Sequence, residues 1–260
     1  MIRIAPVLLL KNGSLVRSTL FGRHQVVGDP FLQCKRFNSW LIDELIYLDI
    51  SDNSSWSTSR SDTANRRALG LQEVQQFVAA DCLVPLVWGG RLRTFADAAG
   101  AIARGADKVV FTTALESNPE AVRATAVRFG EQAVCVGVDY RLEGGRHIIF
   151  VEDGRRRVET SIEDWIDRAV DHGAGEILLH AIDRDGRGSG YDLVTLERIQ
   201  ARTNLPLTLL GGARSPSHLA EAALGGASAV AAANMWHFSD NVDHAVRKSM
   251  DDLGIRVRRV

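Results

Sequence analysis

The residues best suited to chemistry lie in one short loop, Asp183-Arg-Asp-Gly-Arg-Gly-Ser-Gly190, directly behind an apolar run at 177–182. Two carboxylates, Asp183 and Asp185, stand with three glycines, Gly186, Gly188 and Gly190, within eight residues. Such a loop turns backbone N–H groups towards an anion while its acids face a reacting group. Similar small-residue ends recur at Gly89-Gly90, Thr112-Thr113, Gly211-Gly212 and Asn234, and a further acid, Asp139, closes the run Val134-Cys-Val-Gly-Val-Asp. In parallel α/β proteins, function collects at the carboxyl ends of strands.

The elements that must position these residues follow from the spacing of apolar runs. Strands are expected at 3–10, 43–50, 83–88, 108–111, 133–140, 177–182, 207–210 and 229–233. Helices are expected at 30–41, 68–80, 94–104, from 118, at 162–172, from 193, from 217 and at 241–253. A polar stretch at 51–64 reads as a long loop, and residues 146–160 as a hairpin turning at Glu152-Asp-Gly-Arg. Eight strands alternating with eight helices over 260 residues predict one (β/α)8 TIM barrel spanning 1–260. An open doubly wound sheet is the alternative.

The chain repeats itself. Pro85-Leu-Val-Trp-Gly-Gly-Arg-Leu-Arg-Thr aligns with Pro206-Leu-Thr-Leu-Leu-Gly-Gly-Ala-Arg-Ser, and Glu44-Leu-Ile-Tyr-Leu with Glu176-Ile-Leu-Leu-His. The first pair is displaced by 121 positions and the second by 132, so 11 extra residues fall after Ile50. Two half-barrels, about 1–130 and 131–260, are therefore expected. Each has a place for one phosphate: Gly90, Thr112 and Thr113 in the first, and Gly186, Gly211, Gly212 and Asn234 in the second. The simpler reading, that rim glycines only make tight turns, is weaker for two sites in register. Arg91 stands where the repeat has Gly212, either as an arginine contact to an anion or as a block.

A second asymmetry and a further feature follow. General acid–base work across a barrel mouth calls for two acids, yet Leu9 stands opposite Asp139 in the repeat. At the other end, Arg3, Glu44, Lys108 and Glu176 begin four strands, where a paired ring of charges would close the barrel bottom. Four independent surface residues are the plainer reading. Asp185 and Arg91 belong to the expected active face. His180 points towards the axis or the mouth, or is a satisfied core histidine; the tryptophans read as packing, with Trp88, just before a rim glycine, the one candidate for stacking on a ligand, and Arg155-Arg156-Arg157 reads as a solvated hairpin tip.

Composition excludes several classes. The net charge of −1 supplies no field for nucleic acid or an anionic membrane. Three scattered cysteines, Cys34, Cys82 and Cys135, show neither a disulfide frame nor zinc-ligand spacing, so a reducing compartment is expected. No apolar run is long enough for a signal peptide or a membrane span. A cytoplasmic protein with neither metal nor cofactor is the expectation.

The motifs Asp-Glu-Leu-Ile-Tyr-Leu-Asp (43–49), Gly-Ala-Asp-Lys-Val (105–109) and Gly-Ala-Gly-Glu-Ile-Leu-Leu (173–179) resemble the cyclase subunit of imidazole glycerol phosphate synthase. Asp-Arg-Asp-Gly (183–186), Gly-Tyr-Asp (190–192) and His-Phe (237–238) extend the resemblance over nearly the whole chain. It implies a glutaminase partner at the amino-terminal face and ammonia passing through the barrel to a bisphosphorylated ribulosyl carboxamide. It assigns Arg3, Glu44, Lys108 and Glu176 to an ammonia gate and Asp139 to one of two catalytic aspartates, and it implies that Asp49 and Arg17 belong to the active face with Asp185 and Arg91. The family's second aspartate, in Pro-Cys-Leu-Asp-Val, is Leu9 of Pro-Val-Leu-Leu-Leu (6–10) here, and a family serine is Leu210.

That pattern resembles a paralogous branch tied to amidation of nucleotide-linked sugars in surface polysaccharides. There the barrel conducts ammonia for a separate sugar amidotransferase. This reading leads, with an active cyclase of histidine biosynthesis as the alternative. A barrel that only senses a phosphorylated metabolite is the third.

Overall fold

The computed structural model describes residues 1–40, 42–52, 56–64, 67–237 and 241–258. The first strand, β1 (Arg3–Lys11), runs into a hairpin of β2 (Ser14–Thr19) and β3 (Arg23–Gly28). After α1 (Pro30–Asn38) come β4 (Leu45–Asp49), α2 (Leu71–Asp81), β5 (Leu86–Gly89) and α3 (Phe95–Ala103). Next are β6 (Lys108–Phe111), a short α4 (Thr113–Ser117) and α5 (Pro119–Phe129). A second hairpin extends β7 (Val134–Glu143) through β8 (Arg146–Val151) and β9 (Arg156–Val158) to α6 (Ile162–Asp171). The chain continues through β10 (Glu176–Ala181), α7 (Leu193–Gln200) and β11 (Leu207–Leu210). It then forms α8 (Pro216–Leu224), β12 (Ala229–Ala232) and α9 (Val242–Asp251).

Strands β1, β4, β5, β6, β7, β10, β11 and β12 pair in that order, all parallel. Strand β12 returns to β1, with Arg3 opposite Ala229, so the eight-stranded sheet closes. The fold is a (β/α)8 barrel. Because strand side chains alternate between faces, each strand serves two cores. Ile4, Tyr47, Trp88, Val109, Val136 and Leu179 pack outwards against the helices. Ala5, Val7, Leu9, Ile46, Val87, Val110, Cys135, Leu178, Leu210 and Ala231 fill the lumen.

Helix starts follow local chemistry. Asp29 accepts from the N–H groups of Phe31 and Leu32, and Pro30 needs no partner at the first turn. Thr94 and Asp97 cap α3 reciprocally. The helix expected at 68–80 starts only at Leu71, because Thr58 and Leu69 exchange backbone hydrogen bonds and hold the preceding segment extended. The helix expected at 30–41 ends at Asn38, with Ser39 capping it, and Leu41 lies outside the described residues. The strand expected at 83–88 begins at Leu86, since Leu83 is 79% exposed. Residues 14–28, given no structure from the sequence, form the β2–β3 hairpin. Among the described residues, no helix is long and apolar enough to cross a membrane.

Candidate active site

At the amino-terminal ends of the strands, Arg3, Glu44, Lys108 and Glu176 meet in one ring. Arg3 donates to Glu44 Oε2 at 3.0 Å and, through both terminal nitrogens, to Glu176 at 2.7 and 3.2 Å. Lys108 bridges the same two carboxylates, at 2.9 Å from Glu44. Thr208, on β11, donates its hydroxyl to Glu176. Both glutamates are buried. Burial alone would raise the Glu176 carboxyl, but Arg3 and Lys108 outweigh it and hold it below its ordinary value. Burial would likewise lower Lys108, and the two glutamates reverse that, so the ammonium is held above its usual range. Alternating charge with no unmatched member lets a buried ion cluster persist.

Directly above the ring the lumen is apolar, lined by Ala5, Ile46, Val110, Leu178 and Ala231. A cleft of about 490 Å³ opens at the carboxyl end, with Val7, Leu9, Leu48, Val110, Leu178 and Leu210 on its inner walls. Asp139, His180, Asp49 and Asp185 line the same cleft, as do Gly90, Arg91, Thr112 and Thr113. Leu9 is 8% exposed and packs with the lumen residues. Asp49 accepts from the backbone and hydroxyl of Ser51, at 3.0 and 2.6 Å. Burial raises its carboxyl, with the Ser51 bonds and Arg91 only partly opposing.

A second cleft, of about 680 Å³, joins the first through Asp185 and Leu210. Gly186, Gly211, Gly212, Asn234 and Arg17 line it. Gly212 adopts φ +95°, and a Cβ there would stand 2.1 Å from the Gly190 carbonyl oxygen, so only glycine fits. Arg91, its counterpart in the repeat, has φ +57° and carries its side chain back to donate to the Ser51 carbonyl. The two halves thus share a left-handed rim position, but an arginine fills one of them.

The two hairpins meet over the mouth, and they follow β1 and β7, the strands that carry Leu9 and Asp139. Phe21, at the tip of the first, packs with Ile148, Phe150 and Ile182. Asp185 ties this hairpin down, accepting from the Ser18 hydroxyl at 2.7 Å, while its carbonyl accepts from the Leu20 N–H at 3.1 Å. Asn234 donates to the Ser18 carbonyl at 2.9 Å.

Most expected positions are therefore brought together, and several expectations need correction. Trp88 points outwards, stacked on Tyr47 with ring centroids 5.5 Å apart, because strand alternation gives the lumen to Val87 and Gly89. The Arg155-Arg156-Arg157 tip is solvated as expected, and Arg155 in addition borders the first cleft. Asp183 lines neither cleft. Thr113 is partly committed, since its hydroxyl accepts from the Glu152 N–H at 3.0 Å. Phe238 of the His-Phe motif lies outside the described residues.

The sequence reading missed Ser18, Phe21 and His24, all on the first hairpin, and Arg93 and Arg214, which line one cleft each. The last two occupy equivalent places in the repeat, which was the available signal. No group of three or more His, Cys, Asp or Glu side chains among the described residues is gathered as a metal site.

Comparison with known proteins gives the family of the chain. The family described as histidine biosynthesis protein matches residues 3–241. A protein of Thermotoga sp. (strain RQ2) named imidazole glycerol phosphate synthase subunit HisF is 35% identical over 98% of this chain and 97% of its own. One of the same name from Streptomyces coelicolor is 34% identical over 99% and 98%. Another, from Caulobacter vibrioides, is 35% identical over 98% and 95%. With the closed barrel and matches along almost its whole length, the chain belongs to the histidine biosynthesis protein family, in its HisF group.

Proposed function

We propose that this chain is the cyclase-type subunit of a glutamine-dependent synthase, taking ammonia in at the charged ring and using it at the barrel mouth. The observation that carries the reading is the pairing of a closed ring of alternating charge with an acid-bearing cleft, across an apolar lumen. An apolar passage favours neutral ammonia over ammonium, because moving an ion out of water is costly. The glutaminase docks on the amino-terminal face, where Arg3, Glu44, Lys108 and Glu176 form the gate.

Residues 1–130 and 131–260 form two grips within one domain. Gly186, Gly211, Gly212, Asn234 and Arg17 hold one phosphate of the acceptor. Gly90, Thr112 and Thr113 hold the other, with Arg91 beside them as an added cation. Asp139 handles protons in the reaction, with Asp49 and Asp185 on the same face. The relatives' names support imidazole glycerol phosphate formation as that reaction. The acceptor in this reading is a bisphosphorylated ribulosyl carboxamide.

Leu9 favours a second reading. An apolar side chain moves no proton, so a mouth that has lost one acid suits an ammonia conduit. That conduit would serve amidation of a nucleotide-linked sugar in surface-polysaccharide synthesis, through a separate sugar amidotransferase. One assay separates the two: the pure chain, the ribulosyl substrate and excess ammonium salt. Turnover supports the cyclase. No turnover, with retained stimulation of a glutaminase and glutamine-dependent ammonia delivery, supports the conduit. Loss of both sinks the shared proposal and leaves a binding-only barrel.

A further inference from the structure

His180 is a titratable side chain at the mouth to which the roles above give no task. It is the register partner of Asp139 in adjacent parallel strands, β10 and β7. Its Nδ1 lies 3.4 Å from Asp139 Oδ1, with the two side chains 8% and 15% exposed. The other ring nitrogen, Nε2, is buried and has no hydrogen-bond partner. The residue lines the same cleft as Leu9 and Asp49. A buried polar atom left unpaired costs about 1–3 kcal/mol, so packing alone does not account for a histidine here. A separation of 3.4 Å is loose for a hydrogen bond, as resting catalytic pairs often are before substrate draws them together.

The surroundings fix the ring. Phe21 packs edge-on against it, centroids 4.7 Å apart and planes at 60°. Leu20 and Phe21 both hold left-handed backbone, φ 55° and 59°. Non-glycine residues keep that conformation only where their surroundings impose it. Here the imposing group is Asp185, whose carbonyl accepts from Leu20.

We infer that Asp139 and His180 form a proton-transfer pair: Asp139 holds the proton on Nδ1, and Nε2 is the working base. The inference rests on the reading that ammonia reacts at this mouth. A carboxylate at Nδ1–H selects the tautomer that presents the Nε2 lone pair. When ammonia adds to a carbonyl carbon, its lone pair forms the C–N bond and the C=O π pair moves to oxygen. Nε2 takes one proton from nitrogen, leaving a neutral amine, and returns it to oxygen as a hydroxyl. His180 ends neutral, as it began. Strand β10 thereby supplies the second proton-handling group that Leu9 on β1 cannot.

The test is ¹⁵N NMR of the histidine-labelled full chain, with His180 assigned by loss of its signals in His180→Gln or, should that variant not fold, His180→Thr. The expected result is a protonated Nδ1 and a bare Nε2, with Asp139→Asn moving population to the Nε2–H tautomer. A wild-type His180 carrying its proton on Nε2, or a tautomer balance indifferent to Asp139→Asn, overturns the pair. In the ammonium-driven assay, His180→Gln is expected to lower kcat about 100-fold, with KM within about twofold and the melting curve unchanged. Wild-type kcat in that variant also overturns it. A chain that turns over no ribulosyl substrate sinks the cyclase reading, and the tautomer measurement then decides the pair alone.

Discussion

Replacing Glu176 by glutamine distinguishes a buried charge network from a set of independent surface pairs. Glu176 accepts from Arg3 twice, at 2.7 and 3.2 Å, and from Lys108 and Thr208, whereas Glu44 accepts once each from Arg3 and Lys108. A hydrogen bond to a charged group contributes about 1.5–3 kcal/mol, and depriving a buried ion of its partner costs about 3–5 kcal/mol. Glutamine keeps an acceptor but removes the charge, which weakens every bond to that position, four at Glu176 and two at Glu44. This places Glu176→Gln near 3 kcal/mol and Glu44→Gln near half of that, roughly 1.5 kcal/mol.

For a chain of this length, 1 kcal/mol moves the melting temperature by about 2–4 °C, giving drops of about 6–12 °C and about 3–6 °C at pH 7. The acid side carries a second signature. The Glu176 carboxyl is held below its ordinary 4.5. Its contribution is complete above that pH and is lost as pH falls through the folded value. Wild type and Glu176→Gln therefore converge in acid. Equal melting temperatures for the two variants at pH 7, or a wild-type advantage that does not shrink below pH 4.5, would refute the network.

Three further outcomes are expected. Leu9→Asp sets a carboxylate without a partner among lumen side chains and costs about 3–5 kcal/mol, while ammonium-driven turnover of the ribulosyl substrate rises at least about tenfold; steady-state rates and melting curves check both. Gly212→Ala forces a Cβ to 2.1 Å from the Gly190 carbonyl, destabilising by about 1–3 kcal/mol and weakening inorganic phosphate binding in calorimetry. Gly144→Ala, whose Cβ meets nothing within 4 Å, should leave phosphate binding intact. His237 is held down to about 4 by burial, with Arg36 adding to it. The unfolded chain takes that proton near 6.5, so stability falls between pH 6.5 and 4, by about 3 kcal/mol in all. Denaturant titrations of His237→Gln should show that slope flattened.

The barrel was legible because each of its strands is an apolar run bounded by punctuation, and the ring because four charges begin four of those runs. The first hairpin was not, although Asn12-Gly13 is a strong turn signal; both residues hold positive φ, 49° and 84°. Strand β3 lies mostly exposed, so it shows no alternation of apolar and polar side chains to betray it. Arg91 was legible only through the repeat, which aligned it with a glycine. The meeting of Asp139 with His180 was beyond reach. They are 41 residues apart, and their contact depends on the register of two strands separated by a hairpin and a helix. Phe21 over His180 depends further on a turn whose backbone only a folded Asp185 enforces.

Strand β1 also has a consequence for how the chain folds. Its lower half, Arg3 to Pro6, pairs with β12, which is made more than 200 residues later. Until then that edge has no partner in the finished register, and β1 is apolar on both faces, the kind of strand that recruits foreign strands. Two local features limit the hazard. The β2 strand pairs at once with Leu9, Leu10 and Lys11, covering the upper half of the same edge, and Pro6 offers no N–H to the lower half. The bond from Arg3 to Glu176 spans 173 residues, so the ring cannot close before the chain has been made as far as Glu176. Its closure is a late event, and a protease aimed at β1 would report when a growing chain has become a barrel.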